Sequence, residues 1–299
     1  MKCSSLTRAL LAFAFVSFPA LADVRPQDEE SAEASDESAD GLAESVEKII
    51  DDFQLELSEF FRERRQLAQE EKDYSHLVEP DGAEPRRAMW ELIQDHLASD
   101  PGREGLIWLV SRGGAKAKER EDFLATLVAY HATSDDMLKV CRLVASNCSP
   151  ATFLALNTIE AQNKDPEVRG TASMTRARLQ LRRASLVERL NDENTDADRM
   201  EYYRELYGDA ILAVLAKLDV DELRKNAEAE LERTGREYKD VEYRDGTMGE
   251  YVGYALFELR NLQIGMKAPD IAGEDLAGIP FKLSDYRGKV VVLDFWGDW

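Results

Sequence analysis

Asn163-Lys164-Asp165-Pro166-Glu167-Val168-Arg169-Gly170 is the stretch of sequence that best indicates the fold class. Aspartate before proline favours a helix start, because the side chain can cap the helix and the proline ring suits the first helical position. Ser149-Pro150 carries the same signal earlier in the chain. After each start, apolar residues recur at helical spacing and share one face: Phe153, Leu156 and Ile159, then Val168, Ala172 and Leu179. The stretch therefore predicts two successive helices joined by a short turn.

Amphipathic helical patterns continue on both sides of this stretch. Before it, an apolar stripe starts at Leu42, and breaks follow at Pro80-Asp81-Gly82, Asp100-Pro101-Gly102 and Gly113-Gly114. After it, helices are predicted at 198–206, 209–218, 219–233 and 251–262. No convincing strand precedes residue 264. The sequence predicts a mainly α-helical domain of about ten helices over residues 42–262.

The predicted turn at residues 163–170 resembles the turns that join helices in tetratricopeptide and HEAT-type arrays. The spacing of the helices is not constant, so the pattern indicates a repeat-like helical array rather than a regular solenoid. Two interpretations remain open for this domain. It presents a concave surface that binds another protein, or it is a helical spacer or dimerisation domain.

The N-terminal 41 residues have the composition of an export signal and a linker. Residues 1–22 combine a short basic start, an apolar run of about ten residues and the ending Ala20-Leu21-Ala22, a pattern typical of a secretory signal peptide. The alternative is an uncleaved anchor. Residues 23–41 are acidic and almost devoid of apolar side chains, which predicts a disordered linker. We expect the mature chain to lie in the periplasm or cell envelope.

The overall composition excludes several classes of function. The 299 residues carry 38 basic and 59 acidic side chains, a formal charge of −21, which argues against nucleic acid or an anionic lipid surface as the main partner. The three histidines, at 76, 96 and 131, are scattered. No His-Glu-x-x-His pattern, glycine-rich phosphate loop or hydrolase nucleophile motif is present. We predict neither a metal site nor a cofactor.

Cys141 and Cys148 are candidates for a disulfide in an oxidising compartment. On one continuous helix their spacing corresponds to a rise of about 10.5 Å, whereas bridged Cα atoms lie about 4.4–6.8 Å apart. A bond is therefore possible only if a helix ends between them, which Asn147 and Pro150 allow. The alternative is two unpaired thiols, with Cys141 buried among apolar neighbours. Their spacing is not the Cys-x-x-Cys of dithiol catalysts.

From residue 264 the sequence changes to a sheet-forming pattern. Residues 271–276 and 279–283 flank a glycine-containing turn, which predicts a β-hairpin. Residues 283–287 follow as a short turn of helix. Residues 290–295 form a β-branched and aromatic run, typical of a strand covered on both faces.

This segment resembles the start of a thioredoxin-like domain of the TlpA and alkyl hydroperoxide reductase/thiol-specific antioxidant type. The matching pieces are Gly265-x-x-Ala268-Pro269-Asp270, then Asp275-Leu276-x-Gly278-x-x-Phe281-x-Leu283-Ser284-Asp285-Tyr286-Arg287-Gly288-Lys289, then Val290-Val291-Val292-Leu293-Asp294-Phe295-Trp296. The resemblance implies thiol–disulfide exchange with protein partners. It implies that Asp294 is the buried acid that relays a proton to the second cysteine, and that Trp296 and Trp299 pack beside the dithiol and shape the substrate surface.

In that family the Trp-Gly-Asp-Trp run is followed at once by Cys-x-x-Cys, whereas this sequence stops at Trp299. Dithiol exchange needs an attacking thiolate and a resolving thiol, and neither has a counterpart here. We therefore expect residues 263–299 to be a truncated thioredoxin-like segment (a hairpin and one central strand) and the chain to be an inactive fragment of an exported oxidoreductase or peroxiredoxin relative. The alternative is an envelope helical-repeat interaction module with a degenerate redoxin tail.

Overall fold

The computed structural model describes residues 32–111 and 117–294, with side chains described from residue 40 and, after the gap, from residue 118. The chain divides into two units after Gly41, and the second unit contains all of the described elements except the first turns of the first helix. The signal peptide predicted at residues 1–22, together with Trp296 and Trp299, lies outside the described residues.

Within the described ranges the chain is mainly α-helical, as predicted. Residues 32–111 and 117–294 contain eleven α-helices, two small hairpins and one 3-10 turn. The helices are α1 Ala32–Gln69, α2 Ala83–Ile93, α3 Asp100–Ser111, α4 Ala117–His131, α5 Met137–Leu143, α6 Pro150–Gln162, α7 Pro166–Leu190, α8 Ala197–Tyr207, α9 Asp209–Leu215, α10 Val220–Glu237 and α11 Met248–Asn261. The strands are β1 Glu242–Tyr243, β2 Gly246–Thr247, β3 Ala272–Glu274 and β4 Pro280–Lys282, and the 3-10 turn is Leu283–Tyr286.

Side-chain caps start the central helices α6 and α7 where the sequence predicts them. Ser149 accepts a hydrogen bond from the backbone N–H of Thr152 at 3.3 Å, and Asp165 accepts one from the N–H of Glu167 at 2.7 Å. A proline occupies the first turn of each helix. These caps satisfy N–H groups that have no partner within the helix, so the local sequence is enough to set both starts.

Helix α7 is the centre of the fold. It packs against α5, α6, α9 and α10 and contributes buried residues to all three apolar clusters of the described chain. The largest cluster joins side chains of α1 to α9, and the second joins α7 to α10, α11 and β1. A helix buried on several faces in this way is stabilised mainly by removal of its apolar surface from water.

The first helix begins earlier than expected. It starts at Ala32, so residues 32–41 are helical, whereas we predicted disorder for residues 23–41. The segment from Ala32 to Gly41 has no proline, and acidic side chains near a helix N-terminus are favourable for its dipole. Once the helix has formed around the apolar stripe that starts at Leu42, its extension towards the N-terminus costs little free energy.

The described C-terminal residues confirm the hairpin and the 3-10 turn but not the strand. Strands β3 and β4 pair antiparallel, with Gly273 opposite Phe281. The strand predicted at 290–295 is absent from residues 290–294, which form no regular secondary structure. A strand needs a neighbour to receive its backbone hydrogen bonds, and none lies alongside these residues in the described part of the chain. The short hairpin of β1 and β2 is a further element that the sequence analysis did not predict.

Among the described residues, no helix combines the length and the apolar character that crossing a membrane requires.

Candidate functional site

The hairpin of β3 and β4 is built from the residues that carry the redoxin resemblance. Its turn is held by Asp275, whose Oδ1 accepts hydrogen bonds from the N–H groups of Ala277 at 2.8 Å and Ile279 at 2.9 Å. Gly278 has a φ of 76°, a left-handed conformation that favours glycine. Aspartate and glycine at these positions therefore specify the turn, and the turn specifies the strand register.

A second aspartate ties the hairpin to the 3-10 turn. The carboxylate of Asp270 accepts hydrogen bonds from both the N–H of Ser284, at 2.8 Å, and its hydroxyl, at 2.9 Å. These two hydrogen bonds lower the pKa of Asp270 below its ordinary value. The backbone N–H of Leu283 also bonds to the carbonyl of Ile271 at 2.8 Å. We call this arrangement the Asp270 clasp. It joins the piece of the redoxin-like motif that ends at Asp270 to the piece that contains Ser284, a role that the sequence alone did not indicate.

Asp294, the predicted proton-relay residue, does not occupy a buried strand in this structure. It is exposed, and so are the apolar residues before it, with Val290 at 98% and Val292 at 87% exposure. The prediction that Asp294 is buried is therefore not met in the described residues, because nothing there covers the run from 290 to 294.

Cys141 and Cys148 are both free thiols and both fully buried. Of the two alternatives left open by the sequence, the structure therefore shows unpaired cysteines rather than a disulfide. Cys141 lies within α5, whereas the carbonyl of Cys148, beyond the end of that helix, accepts a hydrogen bond from Nε of Arg183 at 2.8 Å.

Burial makes both thiols poor nucleophiles. It raises the pKa of Cys141 to about 12. Burial also raises the pKa of Cys148, although a hydrogen bond with Tyr207 opposes the rise. Since the thiolate is the reactive form, neither cysteine is chemically equipped for thiol–disulfide exchange at neutral pH.

The described residues contain no group of three or more histidine, cysteine, aspartate or glutamate side chains that could hold a metal ion.

Comparison with known proteins gives short, partial similarities. The chain is 43% identical over 53 residues to the thiol-disulfide oxidoreductase ResA of Geobacillus kaustophilus (strain HTA426), which covers 16% of this chain and 30% of that protein. It is 47% identical over 51 residues to the protein of the same name from Geobacillus thermodenitrificans (strain NG80-2), covering 16% and 29%. For Bacillus anthracis the values are 40% over 53 residues, covering 16% and 31%. No protein-family model and no solved structure matches the chain.

These similarities show a thioredoxin-like relationship over part of the chain. The chain spans about three tenths of the length of the curated relatives that it matches. Over that part it is a relative of thiol-disulfide oxidoreductases.

Proposed function

We propose that these 299 residues are part of an exported thioredoxin-like thiol–disulfide oxidoreductase, in which residues 263–299 begin the redox domain and residues 42–262 form a helical domain before it. The partial identity of 40–47% to thiol-disulfide oxidoreductases carries the proposal. The hairpin, the 3-10 turn and the Asp270 clasp support it, because they fold from the residues that define the redoxin resemblance.

The chemistry of such an enzyme requires a pair of cysteines that these residues do not supply. Thiol–disulfide exchange begins when a thiolate attacks a substrate disulfide, and a second thiol then releases the mixed disulfide. The sequence has cysteines at 3, 141 and 148 and no Cys-x-x-Cys. We therefore expect the polypeptide of these residues to lack the exchange activity. In a redox domain that contains the cysteine pair, we expect the substrates to be protein thiols and disulfides.

In a complete redox domain we assign Asp294 the proton-relay role and Trp296 and Trp299 the substrate surface. Added strands beside residues 290–295 would cover Asp294, as the resemblance implies for the acid that relays a proton to the second cysteine. The exposure of the run from 290 to 294 supports this assignment, since apolar side chains left in water are suited to burial under further sheet.

Export is the second component of the proposal. It is supported by the basic start, short apolar run and Ala-x-Ala ending of residues 1–22. Expression of the full chain in a bacterial host, followed by separation of periplasm from cytoplasm, should place a processed chain beginning near Asp23 in the periplasm. An unprocessed chain in the cytoplasm would contradict export without affecting the redox assignment.

The redox assignment is tested on the coding sequence and on the polypeptide. We expect the reading frame to continue beyond codon 299 into a Cys-x-x-Cys; a stop with no such codons downstream would contradict the assignment. The 299-residue polypeptide should reduce insulin no faster than its C141A/C148A variant, because both buried thiols have raised pKa values. Turnover that disappears in the variant would overturn the expected inactivity.

A helical interaction module is the second candidate function. It is favoured by the distribution of the core, since every buried residue of the described chain lies before residue 264. Photo-crosslinking of the full chain in the envelope, with mass spectrometry of the linked peptides, distinguishes the two. Crosslinks to one protein from α1 to α11 support a binding function, whereas crosslinks confined to residues 264–299 favour redox-domain contacts alone.

A further inference from the structure

A cavity of about 820 Å³ lies among α7, α8, the turn between β1 and β2 and the chain after α5. Its volume is within the range of small-molecule sites. Buried side chains of α7, α8 and β1 form its inner wall, including Thr171, Thr175, Tyr203, Tyr207 and Tyr243. This cavity is separate from the redoxin-like segment and takes no part in the function proposed above.

The charge of the cavity is opposite to that of the protein. Six arginines line it and no aspartate or glutamate does, although the chain has 59 acidic and 38 basic residues. Three of the arginines come from α7 and the others from α5, α8 and the turn between β1 and β2; they are Arg142, Arg178, Arg182, Arg189, Arg199 and Arg244. Gathering like charges around one concave site costs free energy unless an anion compensates for them, so the arrangement indicates an anionic occupant.

Among the described residues, only one of these six guanidinium groups, that of Arg142, forms an ion pair with a carboxylate. Within the described chain, Arg178, Arg182 and Arg199 form no ion pair with a carboxylate. By contrast, Arg142 reaches Glu167 at 3.4 Å, and Arg244 lies over the ring of Tyr243 at 5.5 Å. Arg178, Arg182 and Arg199 therefore have planar donor groups free to bind oxyanions in a bidentate manner.

A buried hydroxyl gives an independent indication of a ligand. Thr171 is 1% exposed and lines the cavity, and its Oγ1 has no hydrogen-bond partner in the described residues. Buried polar atoms without a partner are uncommon in folded proteins, because the lost hydration is not replaced. A ligand oxygen in the cavity would supply the missing partner.

We propose that this cavity binds a small molecule that carries two or more oxyanion groups, either phosphates or carboxylates. Arg178, Arg182 and Arg199 bind its charges, and the Thr171 hydroxyl bonds to one of its oxygens. The tyrosine rings and leucines of the wall accommodate its non-ionic part. A nucleic acid does not fit, since the arginines line a cavity rather than an open stripe and the protein as a whole is strongly acidic.

The test is calorimetric titration of the full chain with two probes, pyrophosphate and citrate. We expect saturable binding of at least one probe at a single site, accompanied by a rise in melting temperature. Binding of pyrophosphate alone identifies a phosphate ligand, and binding of citrate alone identifies a carboxylate ligand. Absence of saturable binding by both probes at millimolar concentration would overturn the proposal.

Two matched double variants separate the cavity from general electrostatics. R178Q/R199Q should weaken binding at least about tenfold, because it removes two charge-assisted contacts. R87Q/R236Q removes the same total charge from exposed arginines outside the cavity and should bind as the unaltered chain does. Equal losses in both variants would show non-specific attraction and contradict the site. If R178Q/R199Q does not fold, R199Q alone replaces it, because Arg199 is exposed at the rim.

The variant T171V tests the orphan hydroxyl. Valine has nearly the same shape, so without ligand we expect the melting temperature to be unchanged or higher, since an unpaired buried hydroxyl is removed. Probe binding should weaken by about fivefold, the loss expected for one hydrogen bond. Unchanged binding by T171V would contradict the role of Thr171.

Discussion

At the scale of single residues, the most consequential feature of the fold is a buried ionic network between α6, α7 and α10. Arg176 contacts Glu160 at 2.6 Å and also bonds to Glu230. Arg233 bridges the same two carboxylates at 2.8 and 2.7 Å, and the hydroxyl of Tyr238 donates to Glu160 at 3.1 Å. The buried Glu160 and Arg176 and the half-buried Glu230 and Arg233 therefore each have an opposite charge as partner, which is the condition under which burial of charge is tolerated.

Replacement of Arg176 by methionine should strongly destabilise the protein. The substitution keeps most of the side-chain volume but leaves the buried Glu160 and the half-buried Glu230 with only Arg233 between them. Breaking a buried network in this way costs about 3–5 kcal/mol. Urea denaturation at neutral pH measures the loss. The control is R260M, since Arg260 forms comparable pairs with Glu228 and Glu232 on the surface. A loss as large in R260M as in R176M would show that burial is not the cause.

The same network predicts a dependence of stability on pH. Burial by itself would raise the pKa of Glu230, but hydrogen bonds from Arg176 and Arg233 outweigh it and lower the pKa below the ordinary 4.5. Its contribution to stability is thus complete above the unfolded pKa and is lost as pH falls through the folded one. The free energy of unfolding of the unaltered chain should exceed that of E230Q near pH 7, and the difference should shrink below about pH 4.5. A difference independent of pH from 7 to 3 would contradict the assignment.

At the scale of elements, the helices and the redoxin-like hairpin are stabilised in different ways. The helices combine caps with apolar faces that pack together, so their stability is largely tertiary. The hairpin of β3 and β4 has only exposed residues in its strands and depends on local hydrogen bonds from Asp270 and Asp275. Two-stranded hairpins of this kind are marginal in water.

Replacement of Asp270 by alanine should therefore loosen the hairpin without unfolding the protein. The Asp270 clasp loses both hydrogen bonds from Ser284, and no buried surface compensates for them. Hydrogen exchange should become faster for amides between 271 and 284, while exchange in α7 stays unchanged. Faster global unfolding or faster exchange throughout α7 would show that the clasp supports the helical core as well.

At the scale of the whole molecule, the apolar core is helical and the redoxin-like segment is attached to it without sharing it. Every buried apolar residue of the described chain precedes residue 264, whereas Val290 and Val292 are almost fully exposed. An exposed β-branched run with unpaired backbone groups is a site for intermolecular strand pairing. The whole chain is therefore expected to be stable in its helices and prone to associate through residues 290–294.

The variant V292K tests this expectation. A lysine in the middle of the run opposes strand pairing between molecules and removes no buried contact. The soluble fraction after incubation at high concentration should increase several-fold, as is typical of such charge insertions, and the melting temperature should not change. V78K, at an equally exposed valine outside the run, is the matched control. Equal gains in both variants would indicate an effect of net charge alone.

Much of this molecule follows from short stretches of its sequence. The Ser149 and Asp165 caps and the helical spacing of apolar side chains were enough to predict the helices, and the Gly278 turn was enough to predict the second hairpin. These features depend on neighbours a few residues apart. The two-residue strands β1 and β2 were missed because they are too short for any alternation of side chains to show.

Other features arise only when distant residues meet. The arginines of the cavity are spread from Arg142 to Arg244, and the partners Glu160 and Glu230 stand far apart in the chain, so no local pattern connects them. The predicted burial of Asp294 is not met for the same reason, because whether a side chain is buried depends on which other residues cover it. Local hydrogen bonding and helical periodicity therefore account for the helices and hairpins of this protein. Its ionic network, its cationic cavity and the exposure of its redoxin-like segment depend on packing between elements. Short-range sequence does not encode that packing.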